Sequence, residues 1–178
     1  MNEAKLILFK APKKWLNGDE VRMLFGAMLG TVGSRWKTRI DTSLVVSLML
    51  GSNNRDINVV TGAWLRFLEK KKFPKLNSLC LNKCINITDV SLAEVGRRCP
   101  NLRTLKLRSC CNITNVGLMG VRQRCPNLQT LDLGDCPGIT VRTFELGFPN
   151  LQSLKVNMNF DDACLAKLVQ GCQHLQSL

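Results

Sequence analysis

Cys99-Pro100-Asn101-Leu102-Arg103-Thr104-Leu105-Lys106-Leu107-Arg108-Ser109-Cys110 is the stretch that decides the fold, because it recurs. Twenty-six residues later Cys125-Pro126-Asn127-Leu128 is followed by Leu131, Leu133 and Cys136. The same interval earlier, Phe73-Pro74-Lys75-Leu76 is followed by Leu79, Leu81 and Cys84. Phe148-Pro149-Asn150-Leu151 continues with Leu154 and Val156, and Cys172, Leu175 and Leu178 open one more unit. Five starts at near-constant spacing mark an internal repeat, and a repeat of this length is a stacked architecture.

The physics follows from Leu-x-x-Leu-x-Leu. Leu105 and Leu107 point to one side of a short strand, and Lys106 and Arg108 to the other. A unit with one apolar face cannot bury it alone; units stacked side by side share a continuous core. After the strand, Ile87-Thr88-Asp89 leads into Leu92 and Val95, and Ile113-Thr114-Asn115 leads into Leu118 and Val121. Apolar residues three apart share a helix face, and Thr88 or Asp89, and Thr114 or Asn115, are natural N-caps. The expected fold is an α/β solenoid, a horseshoe with parallel strands on the concave face and helices on the convex face.

These residues resemble the cysteine-containing leucine-rich-repeat family, in which a cysteine precedes Leu-x-x-Leu-x-Leu, a second cysteine and Ile-Thr-Asp. The pattern reads here as Leu76 to Asp89, Cys99 to Asn115 and Cys125 to Thr140, within a resemblance covering residues 73–178. The family includes many F-box proteins and some mitochondrial assembly proteins. In the fourth unit Asn159 replaces the strand-end cysteine and Phe160-Asp161-Asp162 replaces Ile-Thr-Asp, so a bent or irregular turn is expected there.

Residues 42–72 read as a degenerate capping repeat: Val45, Leu48 and Leu50 keep the strand spacing, and Val59, Val60, Ala63, Trp64, Phe67 and Leu68 suit an amphipathic helix. Regular repeats then run over 73–171 and a partial one over 172–178, giving a repeat domain of 42–178. Residues 1–41 form a basic segment with a helix expected over 18–31, from Val21, Leu24, Phe25, Met28 and Leu29. The stretch Leu16 through Leu29, then Trp36, echoes the opening of an F-box without its Leu-Pro start. Leu178 falls on a strand leucine, so the chain is expected to stop inside a repeat, either as a piece of a longer protein or with a partner over the exposed edge.

The net charge of +12 points to acidic partners. It is dispersed, and aromatics are 6 % with no Tyr, which argues against a dedicated nucleic-acid domain. Nine cysteines without a secretory leader imply reduced thiols. No apolar run approaches the roughly 20 residues of a membrane span. The expected compartment is cytoplasm or nucleus, with mitochondria as the alternative.

Cys84, Cys110 and Cys136 form one repeat column, and Cys99, Cys125 and Cys172 share another with Phe73 and Phe148. Phenylalanine cannot ligate zinc and no Cys-x-x-Cys pair exists, so these thiols read as small hydrophobes rather than metal or redox groups. His174 is the sole histidine and matches the loop position of Asn101 and Asn127; Asp161-Asp162 reads as a helix start rather than a carboxylate pair. No catalytic constellation, phosphate loop or cofactor motif is present, so no cofactor is expected and the chain reads as a non-enzyme.

The functional candidates are the outward strand positions: Asn77, Ser78, Cys80 and Asn82; Arg103, Thr104, Lys106 and Arg108; Gln129, Thr130, Asp132 and Gly134; and Gln152, Ser153, Lys155 and Asn157. Arg103, Lys106, Arg108, Asp132 and Lys155 are the expected partner-binding set, with Asp132 between Lys106 and Lys155 in one row and better placed for Lys106 than for Arg108. The expected ligand is an acidic protein partner on the concave face. The family resemblance implies the substrate-recognition arm of a cullin-type ubiquitin ligase, reached through a Skp1-type adaptor. The alternative is a structural or assembly subunit of a larger, mitochondrial complex.

Overall fold

The computed structural model describes residues 47–49, 72–145, 147–157 and 161–178. Strand β1 (Ser47–Met49) is followed by β2 (Ser78–Cys80), helix α1 (Asp89–Arg98), β3 (Thr104–Lys106), α2 (Asn115–Arg124), β4 (Thr130–Asp132), α3 (Arg142–Glu145), β5 (Ser153–Lys155) and α4 (Asp162–Gly171). The strands form one parallel sheet in chain order, with Leu48, Leu79, Leu105, Leu131 and Leu154 in register. Ser177 adds an isolated parallel bridge to Ser153. Each strand has three residues, but its hydrogen bonding runs further: Leu107 N–H donates to Asp132 O (2.8 Å) and Gln129 N–H to Arg103 O (2.8 Å).

The repeat columns are the core. Leu76, Leu102, Leu128 and Leu151, the strand leucines Leu79, Leu105, Leu131 and Leu154, Ile87, Ile113 and Ile139, and the helix residues Leu92, Val95, Leu118 and Val121 are at most 6 % exposed. Burying each such side chain contributes roughly 1.5–3 kcal/mol, so the columns, not the three-residue strands, hold the stack. After β2, β3 and β4 the chain turns through a left-handed residue, Lys83 (φ 61), Ser109 (φ 59) and Asp135 (φ 59) respectively, in one column. Non-glycine residues adopt this conformation at a cost, and here the inter-repeat hydrogen bonds hold it: Ser109 N–H donates to Gly134 O at 2.7 Å.

Thr88 and Thr114 cap α1 and α2, as the sequence suggests, and Thr88 forms a reciprocal capping box with Ser91. Asp161 caps α4 by accepting the Cys164 N–H at 2.7 Å, the helix-start role expected of the Asp161-Asp162 pair. Asp89 and Asn115 take a different task. The Asp89 carboxylate accepts the Thr114 N–H (2.7 Å) and hydroxyl (2.6 Å) of the next repeat. Asn115 accepts the Thr140 N–H (2.9 Å) and the Thr143 hydroxyl, and donates to Thr140 Oγ1 (2.8 Å). In each of these two units one residue thereby stitches a helix start to the following turn.

The third unit is shortened. Cys125 and Phe148 are twenty-three residues apart instead of twenty-six, and three residues are close to one helical turn. The loss falls on α3, which has four residues against ten in α1 and α2. Gly147 (φ +72) then brings the chain so close to Gly171 that an added Cβ would lie 2.2 Å from the Gly171 carbonyl oxygen.

The expected helices over 18–31 and 59–68, the 1–41 segment and the Asn159-Phe160 turn lie outside the described residues. Among the described residues no helix is long and apolar enough to cross a membrane.

Candidate functional site

The outward side chains align in rows because the strands are in register. Lys106 stands opposite Asp132, and Asp132 opposite Lys155, in the row expected from the repeat. Thr104, Thr130 and Ser153 form a neighbouring hydroxyl row, extended by Ser177, whose Oγ lies 2.8 Å from Ser153 Oγ. Arg103, Gln129 and Gln152 precede the strands and are tied by backbone hydrogen bonds of 2.8 Å.

Two outward positions depart from expectation. Cys80, opposite Lys106, is only 2 % exposed. A short side chain beside a long one is easily shaded, and the Cys80 sulfur also takes a hydrogen bond from the Asn82 backbone. Gly134 is buried as well, with Arg108 side-chain atoms 3.4 and 3.5 Å from where its Cβ would stand. The row therefore presents its charges from Lys106 onward.

Arg108 does not depend on Asp132. Its Nε donates to Asp135 Oδ2 at 3.1 Å, and Asp135 also accepts from Asn157 Nδ2 at 2.7 Å. These bonds, Arg108 first, hold the Asp135 carboxyl below its ordinary range. Asp132 is used locally, accepting the Gly134 N–H at 3.2 Å. Asp135 was not singled out in the sequence. Its signal is positional: it is the left-handed turn residue one repeat beyond Ser109, which puts it beside the preceding strand's exit. The concave face thus carries Arg103, Lys106, Arg108 and Lys155 against Asp132 and Asp135, a positive excess with the Arg108 end partly neutralised.

The cysteine columns lie inside. Cys84, Cys110 and Cys136 are at most 7 % exposed, and Cys99, Cys125 and Cys172 at most 2 %. The first column has a polar role the sequence reading lacked. Cys110 Sγ donates to Leu81 O and Cys136 Sγ to Leu107 O, each at 3.1 Å and one repeat back. The second column ends the helices, since the N–H groups of Cys99, Cys125 and Cys172 cap Val95, Val121 and Leu168 carbonyls at 2.8–2.9 Å. Burial pushes Cys110 up to about 12 and Cys125 up to about 11. Such thiols are neutral and poor nucleophiles at physiological pH. Among the described residues no group of three or more His, Cys, Asp or Glu could hold a metal ion.

A family model described as Leucine Rich repeat matches residues 98–121 and 124–141. Residues 98–141 are a leucine-rich-repeat segment, and the fold is an α/β leucine-rich-repeat solenoid. Among solved structures, the chain is similar to one described as "Crystal structure of Rad7 and Elc1 complex in yeast", with 18% sequence identity and a TM-score of 0.54. That match covers 86% of this chain and 37% of the other, so this chain spans little over a third of that neighbour. At that identity the likeness concerns the fold. No curated protein matches the chain.

Proposed function

We propose that this protein is a non-enzymatic recognition module that holds an acidic protein partner on its concave face. The observation that carries this reading is the in-register row Lys106–Asp132–Lys155, flanked by Arg103 and Arg108, on a sheet whose other face is packed into the core. Parallel strands fix these side chains at regular spacing without any of them supporting the core. A preorganised charged surface gains association rate and orientation from a partner of opposite charge. The buried thiols do not resemble an activated nucleophile, which is consistent with binding rather than chemistry.

The particular role that family resemblance favours is substrate choice for a cullin-type ubiquitin ligase, with a Skp1-type adaptor as second partner. The solved structure of similar fold is described as a complex of two proteins, Rad7 and Elc1, which is consistent with an interaction role for this architecture. The test is affinity purification with mass spectrometry, using the parent chain, Lys106→Glu/Arg108→Glu and the convex-side control Gln123→Glu. Loss of a specific partner from the double variant alone supports the reading, and recovery of a Skp1-type adaptor supports the ligase role. Retention of every partner by the double variant, with loss from Gln123→Glu, would place the interface on the helices instead.

A further inference from the structure

At the entry end of the strands the concave face holds a groove of about 300 Å³ lined by Arg103, Asn127, Gln129, Asn150, Gln152 and His174. It spans successive repeats, with the Thr104–Thr130–Ser153 row between it and the Lys106–Asp132–Lys155 row. Its walls are fixed by the backbone: Gln129 N–H donates to Arg103 O and Gln152 N–H to Gln129 O, each at 2.8 Å. Asn150 is pinned by donating its side-chain amide to Pro126 O at 2.9 Å, as Asn101 does to Pro74 O at 2.7 Å. Asn127, at the same repeat position, makes no such bond. Among the described residues, the side chains of Arg103, Asn127, Gln129, Gln152 and His174 have no hydrogen bond or ion pair.

The chemistry of this lining is selective. A guanidinium offers five N–H donors, and each primary amide offers both a donor pair and an acceptor. No carboxylate lines the groove, so nothing on its walls neutralises Arg103. Neither Phe nor Trp lines it, which leaves the His174 ring as its single aromatic surface, less than the successive rings on which single-stranded nucleic acid stacks. Adjacent amides in register, as on Gln129 and Gln152, match the alternating carbonyls and N–H groups of an extended peptide. Arg103 and His174 are three repeats apart; at the usual strand spacing that is about 14 Å, the reach of about four extended residues.

We infer that this groove takes an acidic peptide segment in extended form, lying across the strands. One carboxylate meets Arg103, the peptide groups meet Gln129 and Gln152, and a second carboxylate lies near His174. This rests on the concave face being a protein-binding surface, and narrows it to one subsite and one ligand chemistry.

The test is an NMR titration of the full isotope-labelled chain with a blocked peptide carrying two glutamates about four residues apart in a glycine–serine background. The expected result is saturable shifts of the Gln129 and Gln152 side-chain amide signals. Arg103→Gln should weaken binding about tenfold through loss of a charge-assisted contact. The peptide with glutamine for glutamate should fail to saturate, and Gln123→Glu, exposed on helix α2 away from the strands, should retain the groove shifts. Shifts confined to the Lys106–Asp132 row would overturn the subsite while leaving the concave-face reading intact. Absence of saturable shifts, or tighter binding of a thymidine oligonucleotide than of the peptide, would overturn the inference.

Discussion

The thiol of Cys136 donates to the main-chain carbonyl of Leu107, 3.1 Å away and one repeat earlier. Leu107 O also receives the Cys110 N–H at 3.1 Å. Cysteine suits this position because it is small and apolar enough for a core column, yet carries a weak donor for a buried carbonyl. The equivalent bond from Cys110 to Leu81 gives a direct test. Cys110→Ala removes both volume and donor and should cost about 1–3 kcal/mol. Cys111→Ala, at an exposed position one residue away, should change stability by no more than about 0.5 kcal/mol. Denaturant melts of the two variants decide this, and equal losses would show that the column has no special role.

Thiol reactivity should divide the nine cysteines sharply. Cys111 is exposed and Cys164 intermediate, while the other seven are buried and free. A thiol reagent at neutral pH should label Cys111 fastest, Cys164 more slowly, and the rest only on unfolding. Mass mapping of labelled peptides reads the order directly; early labelling of Cys110 would contradict the burial.

Alkali should destabilise the fold through these same groups. Burial raises the Cys110 thiol from the ordinary 9.0 to about 12, so the folded state keeps its proton where the unfolded chain releases it. The contribution is intact below about pH 9 and falls between there and about pH 12, because a raised folded pKa favours folding only while the thiol is protonated. Melts across that window should show stability falling for the parent and less steeply for Cys110→Val.

Leu107 and Arg108 are neighbours in sequence but not in environment. Leu107 is fully buried, so Leu107→Ala should cost about 2–5 kcal/mol. Arg108 and Asp135 make an exposed ion pair, so Arg108→Ala should cost at most about 1 kcal/mol. Similar losses in equilibrium unfolding would mean the strand register is displaced by one residue.

Asn115→Ala breaks the contacts with Thr140 and Thr143 together and should cost about 1–3 kcal/mol. Asn115→Asp should cost less, because Asp89 performs the same acceptor task one repeat earlier. Thermal melts of both variants check the order; a larger loss from the aspartate than from the alanine would refute the stitching role.

The repeat made the core columns and the sheet legible in the sequence. Leu79, Leu105, Leu131 and Leu154 had to share one face because Leu-x-x-Leu-x-Leu has a single apolar side, and the recurrence of that motif placed them in register even where the interval drops from 26 to 23 residues. The N-cap threonines and the Asp161 helix start were readable for a similar reason: capping is a local matter of a side-chain oxygen and a backbone N–H within a few residues.

Contacts that join one repeat to the next were not legible in that way. The Arg108–Asp135 pair depends on a left-handed turn aiming Asp135 back at the previous strand. The shading of Cys80 depends on its neighbours in space, not in sequence. The cysteine donors and the groove between Arg103 and His174 exist only once separate units are stacked. Periodicity by itself determined which side chains face the core, because that is set by the strand's own alternation. The tertiary structure alone decided which polar groups meet across repeats, because those meetings depend on side-chain reach and turn geometry that the interval does not specify.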